Sequence, residues 1–331
     1  MRIEAFSEGK YLDDPDANED SLVVLPGLGY AVIDGVTDIS GRIVEGMRTG
    51  RYASRIVQRA VAAIALDDAA RAAPPARIVE RVTHCLRAVY ESLGIVDEVS
   101  AHPARRFGAT LTLALDLGAV LRFILVGDSG VRLNATETIV DGAGLDRVTA
   151  VLRQEAYRLI GELGGDLETQ RRVSRCCSYY GVGALHDDMR PVLDVSLQRV
   201  LRERCIAQAS ALFPHAADDD LTYLVDRGIS GQTRFQNNTA SPFSYSVFDG
   251  FEVPMALVRV FDRPRDSVHS MELYTDGYFA PGATPELAAW ERAFEEVERV
   301  DPEKIGAYPS VKGSSERMRT DDRTLVIVGF D

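Results

Sequence analysis

The chain has 331 residues, 46% of them hydrophobic, and its 50 acidic side chains against 37 basic ones leave a formal charge of −13. That length allows one large domain or two ordinary ones with an ample core, while a field of this sign disfavours nonspecific attraction to nucleic acid or to an anionic membrane. No stretch is long and apolar enough to span a bilayer, and Met1-Arg2-Ile3-Glu4 opens with charge and alternation in place of an apolar leader, so a cytoplasmic location is expected.

Residues 2–6 alternate and predict a first strand. Asp14, Asp16, Asn18 and Asp20 then fall at alternate positions, as in a calcium loop, but the sixth position carries Glu19 where such a loop needs Gly, and the twelfth carries Leu25 where it needs Glu. Asn18-Glu19-Asp20 therefore reads as a polar approach to the apolar run Leu22–Leu25. The run Tyr30–Ile33 predicts a buried strand that ends abruptly at Asp34-Gly35. A carboxylate at a strand mouth sits on a rigid support, and the glycine after it lets a backbone carbonyl approach the same point, a pairing suited to a hard metal ion.

Helical spacing of Ile43, Met47, Ala53, Ile56, Val57, Ala60 and Ile64 predicts a helix from Gly41 to about Leu66, and a second runs from about Ile78 to Leu93 after Pro74-Pro75. His84, alone among the positions of the second helix, is read as a packed or surface residue. Thr110–Leu115 and Val120–Val126 predict a hairpin, and Gly127-Asp128-Ser129-Gly130 repeats the strand-end acid of Asp34. Residues 144–213 carry helical stripes and few strand signals, and predict a helical insertion or subdomain within one domain spanning 1–331. Cys85, Cys176, Cys177 and Cys205 lack metal-ligand spacing, and the adjacent pair is poorly disposed for a disulfide, so buried free thiols are expected. Asp218-Asp219-Asp220 reads as a solvated helix-to-strand junction before Leu221–Val225. Further strands are expected at Ser246–Phe248, Ala256–Phe261, Met271–Tyr274 and Thr324–Val328, with a helix over Glu286–Arg299.

Asp276-Gly277 and Asp321-Asp322 add two more strand-edge acidic groups, so oxygen ligands come from both ends of the chain, as a metal site assembled by folding requires. Neither a phosphate-binding G-x-x-x-x-G-K-[ST] nor a dinucleotide-binding G-x-G-x-x-G at a strand-to-helix junction is present.

The ordered set Asn18-Glu19-Asp20, Asp34-Gly35, Gly108-Ala109-Thr110, Gly127-Asp128-Ser129, Thr275-Asp276-Gly277 and Asp321-Asp322 resembles the metal-dependent protein phosphatases of the PP2C (PPM) family, in a divergent bacterial form. The resemblance covers both ends of the chain and not its helical middle. It implies an α+β fold, an α/β/β/α sandwich of two antiparallel sheets flanked by helices, carrying two Mn2+ or Mg2+ ions with a weaker third site. In that scheme Asp34 bridges two ions, Gly35 lends its carbonyl, Asp276 and Asp321 complete the set, Glu19 and Asp20 hold metal-bound waters, and Asp128 with Asp276 forms the third site. The implied activity is hydrolysis of phosphomonoesters, phosphoserine and phosphothreonine in proteins or a small phosphorylated substrate, by a metal-bridging hydroxide.

Two departures accompany the resemblance. The position five before Asp20, where relatives carry a phosphate-clamping Arg, is Pro15, which leaves Lys10, Arg51 and Arg55 as substitutes. The position of the His proposed as general acid is Val36, which leaves a metal-bound water, Asp38, or a leaving group that needs no acid. A catalytically silent relative kept as a binding or regulatory module is the alternative reading.

Overall fold

The computed structural model describes residues 1–37, 41–142 and 144–330, so Asp38 lies outside the described residues. The chain divides into two compact units, one formed by Met1–Asp141, Tyr245–Val297 and Ser315–Asp331, the other by Gly142–Ser244 and Glu298–Ser314.

In the first unit the strands are β1 (Arg2–Glu8), β2 (Ser21–Leu25), β3 (Gly29–Ile33), β4 (Gly35–Val36), β5 (Ile43–Val44), β6 (Met47–Arg48), β7 (Gly108–Ala109), β8 (Leu111–Asp116), β9 (Val120–Val126), β10 (Gly130–Leu133), β11 (Glu137–Ile139), β12 (Arg259–Pro264), β13 (Ser270–Tyr274) and β14 (Arg323–Gly329). Two five-stranded antiparallel sheets result, in the orders β1-β14-β13-β10-β11 and β12-β9-β8-β3-β2. Alternation explains their stacking. Tyr30, Val32, Phe123 and Leu125 of one sheet interleave with Val131, Leu273, Val326 and Val328 of the other in a shared core.

The opposite faces take the helices α1 (Thr49–Leu66), α2 (Asp68–Arg71), α3 (Pro75–Leu93), α4 (Val96–Ala101) and, further along the chain, α9 (Leu287–Val300). Ala31, Ile33, Leu111, Leu113 and Ile124 pack on Val57, Val61, Ile64, Val82 and Leu86 of α1 and α3. Tyr274, Leu325 and Ile327 pack on Trp290 and Phe294 of α9. The first unit is therefore the expected α/β/β/α sandwich. Pro75 opens α3 at a position whose N–H needs no partner, and Gly94, in the left-handed region at φ 66°, closes it.

Some local expectations shift. The helix expected from Gly41 starts eight residues later, at Thr49, because Glu45 (φ 49°) and Gly46 (φ 78°) take the left-handed conformations of a tight turn and pair β5 with β6. The strand expected at Ala256–Phe261 is β12, displaced toward the C-terminus, while Ser246–Phe248 contributes only one bridge, Phe248 to Ala109.

The second unit is helical, with α5 (Gly144–Glu162), α6 (Leu167–Tyr180), α7 (Val195–Leu212) and α8 (Asp218–Arg227). Leu221–Val225, expected as a strand, lies inside α8, whose three leading aspartates suit the positive end of a helix dipole. Leu152, Ala156, Val173, Cys177, Leu201 and Cys205 are buried between these helices, and all four cysteines are free thiols. Burial pushes the Cys177 and Cys205 thiols up, away from reactivity. Among the described residues no helix is long and apolar enough to cross a membrane.

Candidate functional site

Antiparallel pairing brings the acidic strand ends of the first unit together. Ser21 pairs with Ile33, Thr112 with both Val32 and Leu125, Gly130 with Tyr274, and Tyr274 with Leu325, so Asp20, Asp34, Asp128, Asp276 and Asp321 all follow or precede strand termini on one edge of the sandwich. Burial, and then the charges of Asp276, Asp20, Asp321 and Asp128, hold the Asp34 carboxyl well above the usual carboxylate range.

The backbone sets each group with specific bonds. Asn18 Oδ1 accepts from the Asp20 N–H at 2.9 Å while its own amide donates to Ser7 Oγ at 2.9 Å, which aims Asp20 inward. Thr275 Oγ1 donates to Asp20 Oδ2 at 2.9 Å and accepts from the Thr324 N–H at 2.8 Å. Asp34 receives the Thr110 N–H on its carbonyl at 2.8 Å. Behind it, Thr112 Oγ1 donates to the Ser129 carbonyl at 2.8 Å, fixing the loop that carries Asp128.

Gly35 is required by packing. A Cβ there would meet the Gly50 carbonyl of α1 and come 2.6 Å from the Glu19 carbonyl. The same contact makes Gly50 part of the site, since a Cβ on it would stand 2.6 Å from Glu19 Oε1. Among the residues matched to the family pattern, Glu19 and Asp20 are fully buried, Asp128 and Asp321 are half-buried, and Asp276 is exposed at the rim. Burial first, and then Asp322, push the Asp20 carboxyl up to about 7, and burial also raises that of Glu19.

Lys10 is the residue whose role sequence reasoning missed. Its side chain is 4% exposed, and its ammonium donates to Asp321 Oδ1 at 3.0 Å, Thr37 Oγ1 at 3.2 Å and Glu19 Oε2 at 3.4 Å, with Asp322 Oδ2 at 3.3 Å. It faces carboxylates, not solvent, and no local pattern around Gly9-Lys10 announces this. Arg51 is half-buried and donates to the Asp20 carbonyl, while Arg55, one turn further along α1, is exposed.

Among the described residues no three His, Cys, Asp or Glu side chains stand in the geometry of a formed metal site. The donor set is nonetheless that of a hard divalent ion. It offers oxygen ligands throughout, and Glu19 Oε1 and Asp20 Oδ1 are buried without a hydrogen-bond partner.

No protein-family profile and no curated protein sequence matches the chain. Among solved structures it is similar to the Mycobacterium tuberculosis serine/threonine phosphatase PstP/Ppp, at 15% identity over 100% of this chain and 98% of that one, with a TM-score of 0.44. It is also similar to the catalytic domain of PstP in complex with two manganese ions, at 16% identity over 98% and 96% of the chains and a TM-score of 0.42. For the serine/threonine phosphatase Stp1 from Staphylococcus aureus the identity is 11%, the coverage 100% and 95%, and the TM-score 0.44. At such distances any functional assignment has to stand on the chain's own residues.

Proposed function

We propose that the chain is a divalent-metal phosphatase of the PP2C kind, hydrolysing phosphomonoesters and acting on phosphoserine and phosphothreonine in proteins. The observation that carries this reading is the meeting of Asp20, Asp34, Asp128, Asp276 and Asp321, five carboxylates from separate segments, at one sheet edge where the other four raise the cost of ionising Asp34. Carboxylates that act on one another in this way repel unless they take up protons or share a cation, and a divalent ion would let them stay ionised at neutral pH.

Asp20, Asp34, the Gly35 carbonyl, Asp128 and Asp276 would hold Mn2+ or Mg2+, with Glu19 and Asp321 beside them. Bound there, a divalent ion supplies Lewis acidity that activates water and offsets phosphoryl charge. The chain's own contribution is orientation. Thr275 holds one oxygen of Asp20, Thr37 and Lys10 hold Glu19, and the two sheets make a rigid frame for the acidic rim. Arg55, exposed beside Arg51, offers a guanidinium to phosphoryl oxygens in place of the side chain that Pro15 lacks. Val36 cannot move a proton, so esters with good leaving groups are expected to turn over best.

The test is hydrolysis of p-nitrophenyl phosphate and of a phosphothreonine peptide with Mn2+, Mg2+, Ca2+ or EDTA, alongside Asp34→Asn and Asp276→Asn of matched folding. Turnover that needs Mn2+ or Mg2+ and falls to background in both variants supports the reading. A folded wild-type chain without turnover in any metal refutes it and favours a silent binding module.

A further inference from the structure

Lys10 is anchored by the same carboxylates that its ammonium neutralises. Its N–H donates to Asp322 Oδ1 at 2.7 Å, its carbonyl accepts from the Arg319 N–H at 2.8 Å, and Asp322 Oδ2 accepts from the Glu19 N–H at 3.2 Å. An ammonium has three donors, and Asp321, Thr37 and Glu19 take them. Carboxylate oxygens of Asp321, Asp322 and Glu19 stand 3.0, 3.3 and 3.4 Å from the ammonium, so its charge is matched by direct ion pairs. The cation therefore stays charged and has no route to solvent that does not break several bonds.

We propose that Lys10 is a resident cation of the carboxylate cluster, standing where a second divalent ion would otherwise be needed, so that the chain takes one Mn2+ through Asp20, Asp34, Asp128 and Asp276 and not a pair. The inference rests on the phosphatase reading for the existence of the metal site, and deepens it by setting the number of ions. A second divalent ion bound through Glu19 and Asp321 would have to sit against a buried ammonium or expel it, and like charges a few ångströms apart in a partly desolvated site repel strongly. At the first position Asp20 Oδ1 is buried without a hydrogen-bond partner.

The experiment is a count of Mn2+ bound per full-length chain, from the loss of the free-ion paramagnetic resonance signal on titration and from metal analysis after desalting. Wild type and Lys10→Arg are expected to bind one ion. Lys10→Met, and the hydrogen-bonding neutral variant Lys10→Gln if the Met variant does not fold, are expected to bind two, or to bind the second at least tenfold more tightly than wild type. Two ions of similar affinity in wild type overturn the proposal, as does an unchanged count in the folded neutral variant. One ion in wild type rising to two in the neutral variant, with no phosphatase turnover, supports Lys10 as the resident cation while refuting the enzyme reading. No ion in any form overturns both.

Discussion

Thr275→Val isolates how the fold holds Asp20. The Thr275 hydroxyl is fully buried, donates to Asp20 Oδ2 at 2.9 Å and accepts from the Thr324 N–H at 2.8 Å, so one atom joins the β13 end to β14 and to the acid before β2. Valine keeps the volume and removes both bonds. Losing a hydrogen bond to a carboxyl costs about 1.5 kcal/mol, and leaving the Thr324 N–H unsatisfied adds about 1–3 kcal/mol, so a loss of about 2.5–4.5 kcal/mol is expected. The chain has a single tryptophan, Trp290, buried in the first unit, so urea unfolding followed by its fluorescence reports that unit alone. Thr275→Ser keeps the hydroxyl and is expected to recover most of the loss, and Mn2+ binding should weaken in the Val variant but not in the Ser variant. A Val variant within about 0.5 kcal/mol of wild type, with unchanged Mn2+ affinity, would refute the reasoning.

Gly35→Ala forces a methyl against the Gly50 and Glu19 carbonyls, neither of which is a flexible side-chain end, and is expected to cost about 1–3 kcal/mol by the same fluorescence assay; a neutral result would show that α1 can shift away. Glu272→Ala strips the partner from buried Arg132 and from the Trp290 indole N–H at 2.9 Å, and a loss of about 3–5 kcal/mol is expected, with near-wild-type stability counting against a structural role for the pair. The pH dependence of the metal-free chain follows from Asp20. Burial lifts its carboxyl from 3.8 to about 7, so the folded state keeps a proton that the unfolded chain has released, and stability attributable to this group is lost as pH rises from about 4 to about 7. Measured against Asp20→Asn, wild type should lose stability across that interval and level off above it, and a gain over the interval would contradict the assignment.

Much of the fold was legible because its signals are local. The Val and Ile runs of β2, β3, β9 and β14 and the helical stripe of α3 state their own type and partner face, and the strand-end position of Asp34 follows from an apolar run meeting Asp-Gly. The start of α1 was not legible, because Ile43 and Met47 fit a helical stripe as well as the short hairpin they form, and only the left-handed turn at Glu45-Gly46 decides between them. Leu221–Val225 misled for the same reason, a short apolar run having no period of its own.

The candidate site divides along the same line. The acidic types, their order and their places at strand ends belong to the sequence, since each depends on a few neighbouring residues. What tertiary structure alone decided is which charges face one another. Lys10 lies 311 residues from Asp321 and 9 from Glu19, and nothing in the intervening chain specifies that its ammonium turns inward between them. That outcome depends on the antiparallel pairing of β1 with β14, which sets the Lys10 backbone against Asp322, and on burial too deep for carboxylates to remain there without a cation.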